Sequence, residues 1–202
     1  MNILAIIPAR GGSKGIPLKN IQKLGKYPLI YYTIKSAKQS KVNRIIVSTD
    51  NEEISKISIK YGAEIPFLRP KNISQSNSST TAVIEHVVKS LKKLGYYPDI
   101  IVLLQPTSPF RSANMINHSI EILIHSNATS VISVMHAKKH PFQAFTQKNG
   151  FLKHFNKNHE KKFYQRQLLP EMLFETGSVY TFWTKTLEDF DSIYGPKIKP
   201  MI

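Results

Sequence analysis

Short unbroken apolar runs alternate with helix-spaced apolar stripes along the first two-thirds of this 202-residue sequence. Strands of that kind have no polar face, so they are buried on both sides, as in a parallel sheet covered by helices. Asn2–Pro8 is the first such run, closed by Pro8 and then Gly11, Gly12 and Gly15. Leu29, Ile30, Thr33, Ile34 and Ala37 follow at helical spacing within Pro28–Gln39, and Arg44–Ser48 is a second β-rich run, completing one βαβ unit. Asp50 with Glu53 resembles a capping box that opens a helix bearing Ile54, Ile57 and Tyr61 and closed by Gly62.

Ala63–Phe67 is a short strand candidate, and Arg69–Ser79, rich in serine and without periodicity, reads as a surface loop. From Thr80, the stripe Val83, Ile84, Val87, Val88, Leu91 and Leu94 predicts a helix ended by Gly95 and Pro98. Asp99–Leu104 is then a buried strand, Met115 to Ile124 a helix and Thr129–Met135 another strand. Past His136 the rhythm changes. Ala144–Gln147 and Phe151–Phe155 flank Lys148, Asn149 and Gly150 as in a hairpin. Ser178–Phe182 and Thr184–Phe190 return to strand and helix. Residues 1–202 are therefore expected to form a single α/β domain in which 137–177 is an excursion from the core.

With 41% hydrophobic and 20% charged residues the chain has a globular balance, which excludes disorder as its general state. It has no cysteine, so disulfides, thiolate metal sites and a cysteine nucleophile are excluded. No apolar run approaches the ~18 residues of a membrane span, and Met1–Pro8 is too short and lacks a basic lead for a signal peptide. A cytoplasmic protein without a membrane partner is the expectation. The net charge of +15, from 28 basic and 13 acidic residues, favours anionic partners. The lysines are scattered, however, which suits a solvated surface better than a specific nucleic-acid site. His136 and His140 stand four apart, but Pro141 beside them argues for a loop and against a metal-binding helix.

In open α/β sheets ligands sit at the carboxyl ends of the strands. The loop after the first strand, Pro8 to Asn20, combines Gly11, Gly12 and Gly15 with the cations Arg10, Lys14 and Lys19. Exposed backbone N–H groups beside cations form a phosphate cradle. The spacing is that of neither a P-loop nor a dinucleotide fingerprint, because Lys14 precedes Gly15 and Ser13 stands where a glycine would be. Of the five arginines, Arg10, Arg69, Arg111 and Arg166 fall in loops, where a planar fork can meet phosphate or carboxylate. For Arg111 a helix-entry surface position is equally open. No Ser-His-Asp or Cys-His apparatus is present, in keeping with a displacement that needs positioning and charge neutralisation more than covalent catalysis.

Ile7-Pro8-Ala9-Arg10-Gly11-Gly12-Ser13-Lys14-Gly15 with Lys19-Asn20 resembles the signature of the acylneuraminate cytidylyltransferases, the CMP-sialic acid synthetases and their legionaminic and pseudaminic acid relatives. The resemblance continues in order through Ser48-Thr49-Asp50, Arg69-Pro70, Gln105 to Arg111, Arg166-Gln167 with Pro170, and Gly177 to Tyr180. It implies a Rossmann-like, three-layer nucleotidyltransferase core with a mostly parallel sheet and a protruding dimerisation segment. It also implies transfer of CMP from CTP to the anomeric hydroxyl of a nine-carbon acidic sugar, with magnesium as cofactor and a homodimer as the working state. By the same resemblance Arg10, Gly11, Gly12, Ser13, Lys14, Lys19, Asn20, Arg69 and Thr80 would bind the nucleotide. Arg10, Lys14 and Lys19 would carry the catalysis, and Gln105 and Arg166 would face the sugar. The alternatives are an eight-carbon keto-acid sugar as substrate, a catalytically weak nucleotide-binding remnant and a basic nucleic-acid binder.

The sequence departs from the family pattern in three places. Ser76 and Asn77 stand where relatives often carry an acid, and Phe174 or Glu175 where many carry an arginine before Thr176-Gly177. The Asp-x-Asp that holds magnesium in the family has no counterpart in residues 1–202; Asp189 and Asp191 precede its expected place and read as surface carboxylates. Residues 1–202 are thus expected to bind CTP and release pyrophosphate slowly.

Overall fold

The computed structural model describes residues 1–12, 15–155 and 169–202. Ile3–Pro8 (β1) is buried along nearly its whole length, with a parallel neighbour on each side, Arg44–Ser48 (β4) and Ile100–Leu103 (β5), and helices packed against it. Leu173–Trp183 (β9) pairs antiparallel with β5, and Ser130–His136 (β6) pairs parallel with the edge strand Ile198–Met201 (β10). The six-stranded order is β10-β6-β9-β5-β1-β4. β10 was not anticipated from the sequence, since Pro200 speaks against a strand; at a sheet edge a missing N–H is tolerated.

Two compact units divide the described residues: Met1–Ser133 with Gly177–Met201, and Val134–Thr176 with Ile202. In the first unit, Leu29–Lys38 (α1), Glu52–Lys60 (α2), Thr80–Lys93 (α3), Ala113–Ile124 (α4) and Thr184–Phe190 (α5) accompany the sheet. The long helices bury most of their anticipated stripes, Ile30, Thr33, Ile34 and Ala37 on α1 and Val83, Ile84, Val87, Val88 and Leu91 on α3, but Leu94, expected in the α3 stripe, lies past the helix end and is exposed. Lys23–Leu24 (β2) and Tyr27–Pro28 (β3) add a two-residue hairpin before α1. In the second unit, Phe145–Lys148 (β7) and Phe151–His154 (β8) form the hairpin, with Asn149 and Gly150 both at positive φ. That geometry is the one an Asn-Gly turn supplies most readily. His140 is fully engaged in this unit: its ring bonds the Pro170 carbonyl and accepts from Phe142 N.

Several sequence expectations are corrected. Ala63–Phe67 is not a strand: Glu64 makes one bridge to Ile46, through two hydrogen bonds with Ile45 and Val47, and Pro66 then has no N–H to extend it. Asp50 does not cap α2. Asn51 does, its Oδ1 accepting from Ile54 N at 3.0 Å. Arg69–Ser79 is not simply surface, for Arg69 and Ser74 are buried and Lys71–Ile73 form a 3-10 turn. No helix among the described residues is long and apolar enough to cross a membrane.

Candidate active site

Parallel strands place their carboxyl ends on one edge of the sheet, and at the ends of β1 and β5 lies a cavity of 540 Å³. Its walls come from three stretches that are distant in sequence. Pro8, Arg10, Gly15, Ile16, Lys19 and Asn20 follow β1; Arg69, Gln75, Ser76, Ser78, Thr80 and Val83 lead into α3; Gln105, Pro106 and Thr107 follow β5. Arg10, Lys19, Asn20, Arg69, Thr80 and Gln105, all singled out from sequence, therefore face one space. The three cations Arg10, Lys19 and Arg69 meet no carboxylate among the lining residues.

Local structure explains how each is held. The chain turns into the 3-10 segment Lys19–Ile21 through Leu18 at φ 48, a left-handed conformation that costs a non-glycine residue roughly 1–2 kcal/mol. Leu18 is packed against the core, which holds the turn in place. Asn20, buried, donates from Nδ2 to the Arg10 carbonyl at 3.1 Å and so closes the loop between Arg10 and Lys19. Arg69 donates from Nε to Ser48 Oγ at 3.0 Å and from Nη2 to the Ser48 carbonyl, and its own N–H bonds Thr49 O. The end of β4 thus fixes this guanidinium. Burial pulls its pKa down to about 10, with Asp50 opposing and Arg10 adding to the shift, so it remains a cation at neutral pH. Ser79 caps α3 by accepting from Ala82 N at 3.1 Å, leaving Thr80 and Ser78 in the cavity wall at a helix start, where negative charge is favoured.

Gly11 and Gly12 do not line the cavity. The Gly11 N–H, expected to be open to a phosphate, donates instead to Asp50 Oδ1 at 2.9 Å, because Asp50 turns toward the loop and leaves the cap to Asn51. Ser13, Lys14 and Arg166 lie outside the described residues. Arg111 is neither a ligand-facing cation nor a surface residue: it is buried and bonded to main-chain carbonyls. Sequence reasoning missed Gln75, Ser78 and Thr107 as wall residues; their polar side chains beside Arg69-Pro70 and Gln105-Pro106 were the available signal.

No group of three or more His, Asp or Glu side chains converges among the described residues, and no carboxylate lines the cavity. These residues do not fit a magnesium ion held by the protein. Asp189 pairs with Lys185, and Asp191, exposed, ends α5 at φ 47.

Residues 4–190 match the family model described as Cytidylyltransferase. The CMP-N,N'-diacetyllegionaminic acid synthase of Legionella pneumophila is 40% identical over 136 residues, which cover 66% of this chain and 58% of that protein. The pseudaminic acid cytidylyltransferase of Campylobacter jejuni is 34% identical over 200 residues, covering 97% of this chain and 84% of that protein. Among solved structures, a CMP:2-keto-3-deoxy-manno-octonic acid synthetase complexed with CTP shares the fold, with a TM-score of 0.68 over 95% of this chain and 78% of that one at 16% identity.

Proposed function

This chain belongs to the cytidylyltransferase family, and from that premise we propose that it transfers CMP from CTP to the anomeric hydroxyl of a nonulosonic acid, releasing pyrophosphate. The observation that carries the reading is the convergence of Arg10, Lys19 and Arg69 on one cavity that also holds Gln105. The activities named for the Legionella and Campylobacter relatives support the sugar class. In the reaction the anomeric oxygen forms a bond to the α-phosphorus while the bond from that phosphorus to the leaving pyrophosphate breaks. Arg10, Lys19 and Arg69 hold the triphosphate and balance the charge that gathers on the leaving group. Thr80 and Asn20 belong to the nucleotide end, Asn20 by fixing the loop. Gln105 belongs to the sugar end.

Lys14, Ser13 and Arg166 keep their roles on resemblance alone: Lys14 and Ser13 toward the phosphates, Arg166 toward the sugar carboxylate, for which a guanidinium fork is the matching partner. Magnesium is assigned to the substrate, as the counter-ion of the CTP phosphates, because the described residues of the cavity wall include no carboxylate to hold it. A homodimer is supported by the exposed apolar residues Phe145, Phe151, Leu152 and Phe155 of the second unit. A cytoplasmic setting follows from the need for CTP. The test is product analysis: incubation with CTP, magnesium and N,N'-diacetyllegionaminic, pseudaminic, N-acetylneuraminic or 2-keto-3-deoxy-manno-octonic acid should yield a CMP conjugate of one of the first three.

A further inference from the structure

Beneath Gln105 lies a buried cation that the nucleotide reading leaves without a role. Arg111 is 5% exposed. Its Nη2 donates to the Gln105 carbonyl at 2.7 Å, its Nε to the Ser178 carbonyl at 2.5 Å and its Nη1 to Thr33 Oγ1 at 3.3 Å. One guanidinium therefore joins the segment after β5, the strand β9 and the helix α1. A planar fork with five donors can span three acceptors in different directions, whereas an ammonium group cannot hold the same geometry.

Among the described residues no carboxylate pairs with Arg111, and burial alone lowers its pKa, to about 10. A buried charge compensated only by dipoles is costly, which points to a requirement for the geometry it imposes. The same loop is fixed twice more. Arg111 N bonds Ser108 O, and Ser108 Oγ donates to the Gly177 carbonyl at 3.3 Å. Gly177 stands at φ +71, and a Cβ there would lie 3.6 Å from Gln105 Oε1. The carboxamide of Gln105 thus rests beside Gly177 while its main chain is gripped by Arg111.

We propose that Arg111 is a positioning residue for the acid-sugar end of the cavity, acting through Gln105. The inference rests on the reading of this cavity as a cytidylyltransferase site with Gln105 toward the sugar. Of the residues that line the cavity, Gln105 is the one to which Arg111 donates a hydrogen bond, so its loss should be felt by the sugar and hardly by CTP.

The test is a double-mutant cycle on the full chain, using whichever nonulosonic acid of the panel the wild type turns over best. Arg111→Lys is expected to raise the Michaelis constant for the sugar about tenfold, while the calorimetric affinity for CTP stays within about twofold. In a Gln105→Ala background the same substitution should add less than about twofold, because the carboxamide that Arg111 positions is gone. If Arg111→Lys does not fold, Thr33→Val removes one anchor of the guanidinium at little change in volume and should show the same split on a smaller scale. Equal losses for sugar and CTP, or additive effects in the cycle, would overturn the proposal and leave the cytidylyltransferase reading standing. A wild type inert toward every acid in the panel would instead overturn that reading, and the proposal with it.

Discussion

The carboxylate of Asp50 accepts a hydrogen bond from the backbone N–H of Gly11 at 2.9 Å, tying the end of β4 to the loop that follows β1. Close contact with the neighbouring Asn51 makes the approach tight: a Cβ on Gly11 would meet Asn51 Cβ at 3.0 Å. A side chain at this position would press on Asn51, so glycine suits the close approach of the loop to the segment between β4 and α2. Asp50 anchors the loop that presents Arg10 and Lys19 to the cavity.

Asp50→Ala should weaken CTP binding about tenfold, since a hydrogen bond to a charged group contributes about 1.5–3 kcal/mol and its loss frees the loop. Asn51→Ala supplies the contrast. It removes the cap on α2 and should cost about 1 kcal/mol of stability with a smaller effect on CTP. Calorimetry and urea denaturation on both variants would separate the roles, and unchanged CTP affinity in Asp50→Ala would contradict the anchoring role.

Arg69→Lys retains a cation but loses the two-pronged grip on Ser48. CTP affinity should fall about tenfold, and the melting temperature should also drop, because the buried Ser48 Oγ loses its donor and Ser48 O is left with the single bond from Ala9 N. A variant with full CTP affinity would show that Arg69 serves the end of β4 and not the nucleotide.

The core was legible from sequence because its strands and helices announce themselves through apolar runs and stripes, as Ile3–Pro8 and the α3 residues Val83 to Leu91 do. The cavity-facing positions of Arg10, Lys19, Arg69 and Gln105 were legible because loops after parallel strands share one edge of the sheet. Local chemistry was harder to read. Asp50 and Asn51 are both good caps, and only the tertiary partner Gly11 decides between them. Arg111 has the composition of a surface residue, and its burial depends on the carbonyls of Gln105 and Ser178, which lie far apart in sequence. The strand expected at Ala63–Phe67 stops after Glu64 because Pro66 cannot donate, a limit that the apolar pattern conceals.

The +15 charge should give a weak, sequence-independent attraction to nucleic acid that declines steeply with salt. Fluorescence anisotropy with two unrelated duplexes at about 50 and 200 mM salt should show similar affinities that fall at least about tenfold. Tight binding at high salt with preference for one sequence would favour the nucleic-acid binder over the enzyme.

The most direct measurement of the central claim is endpoint pyrophosphate release from CTP and magnesium, with and without each nonulosonic acid, read beside the amount of CMP-sugar formed. Pyrophosphate and CMP-sugar should appear in equal amounts, with CTP and not with ATP, GTP or UTP, and only when an acid of the correct class is present. Pyrophosphate without a CMP-sugar, or no release with any acid over a prolonged incubation, would contradict it.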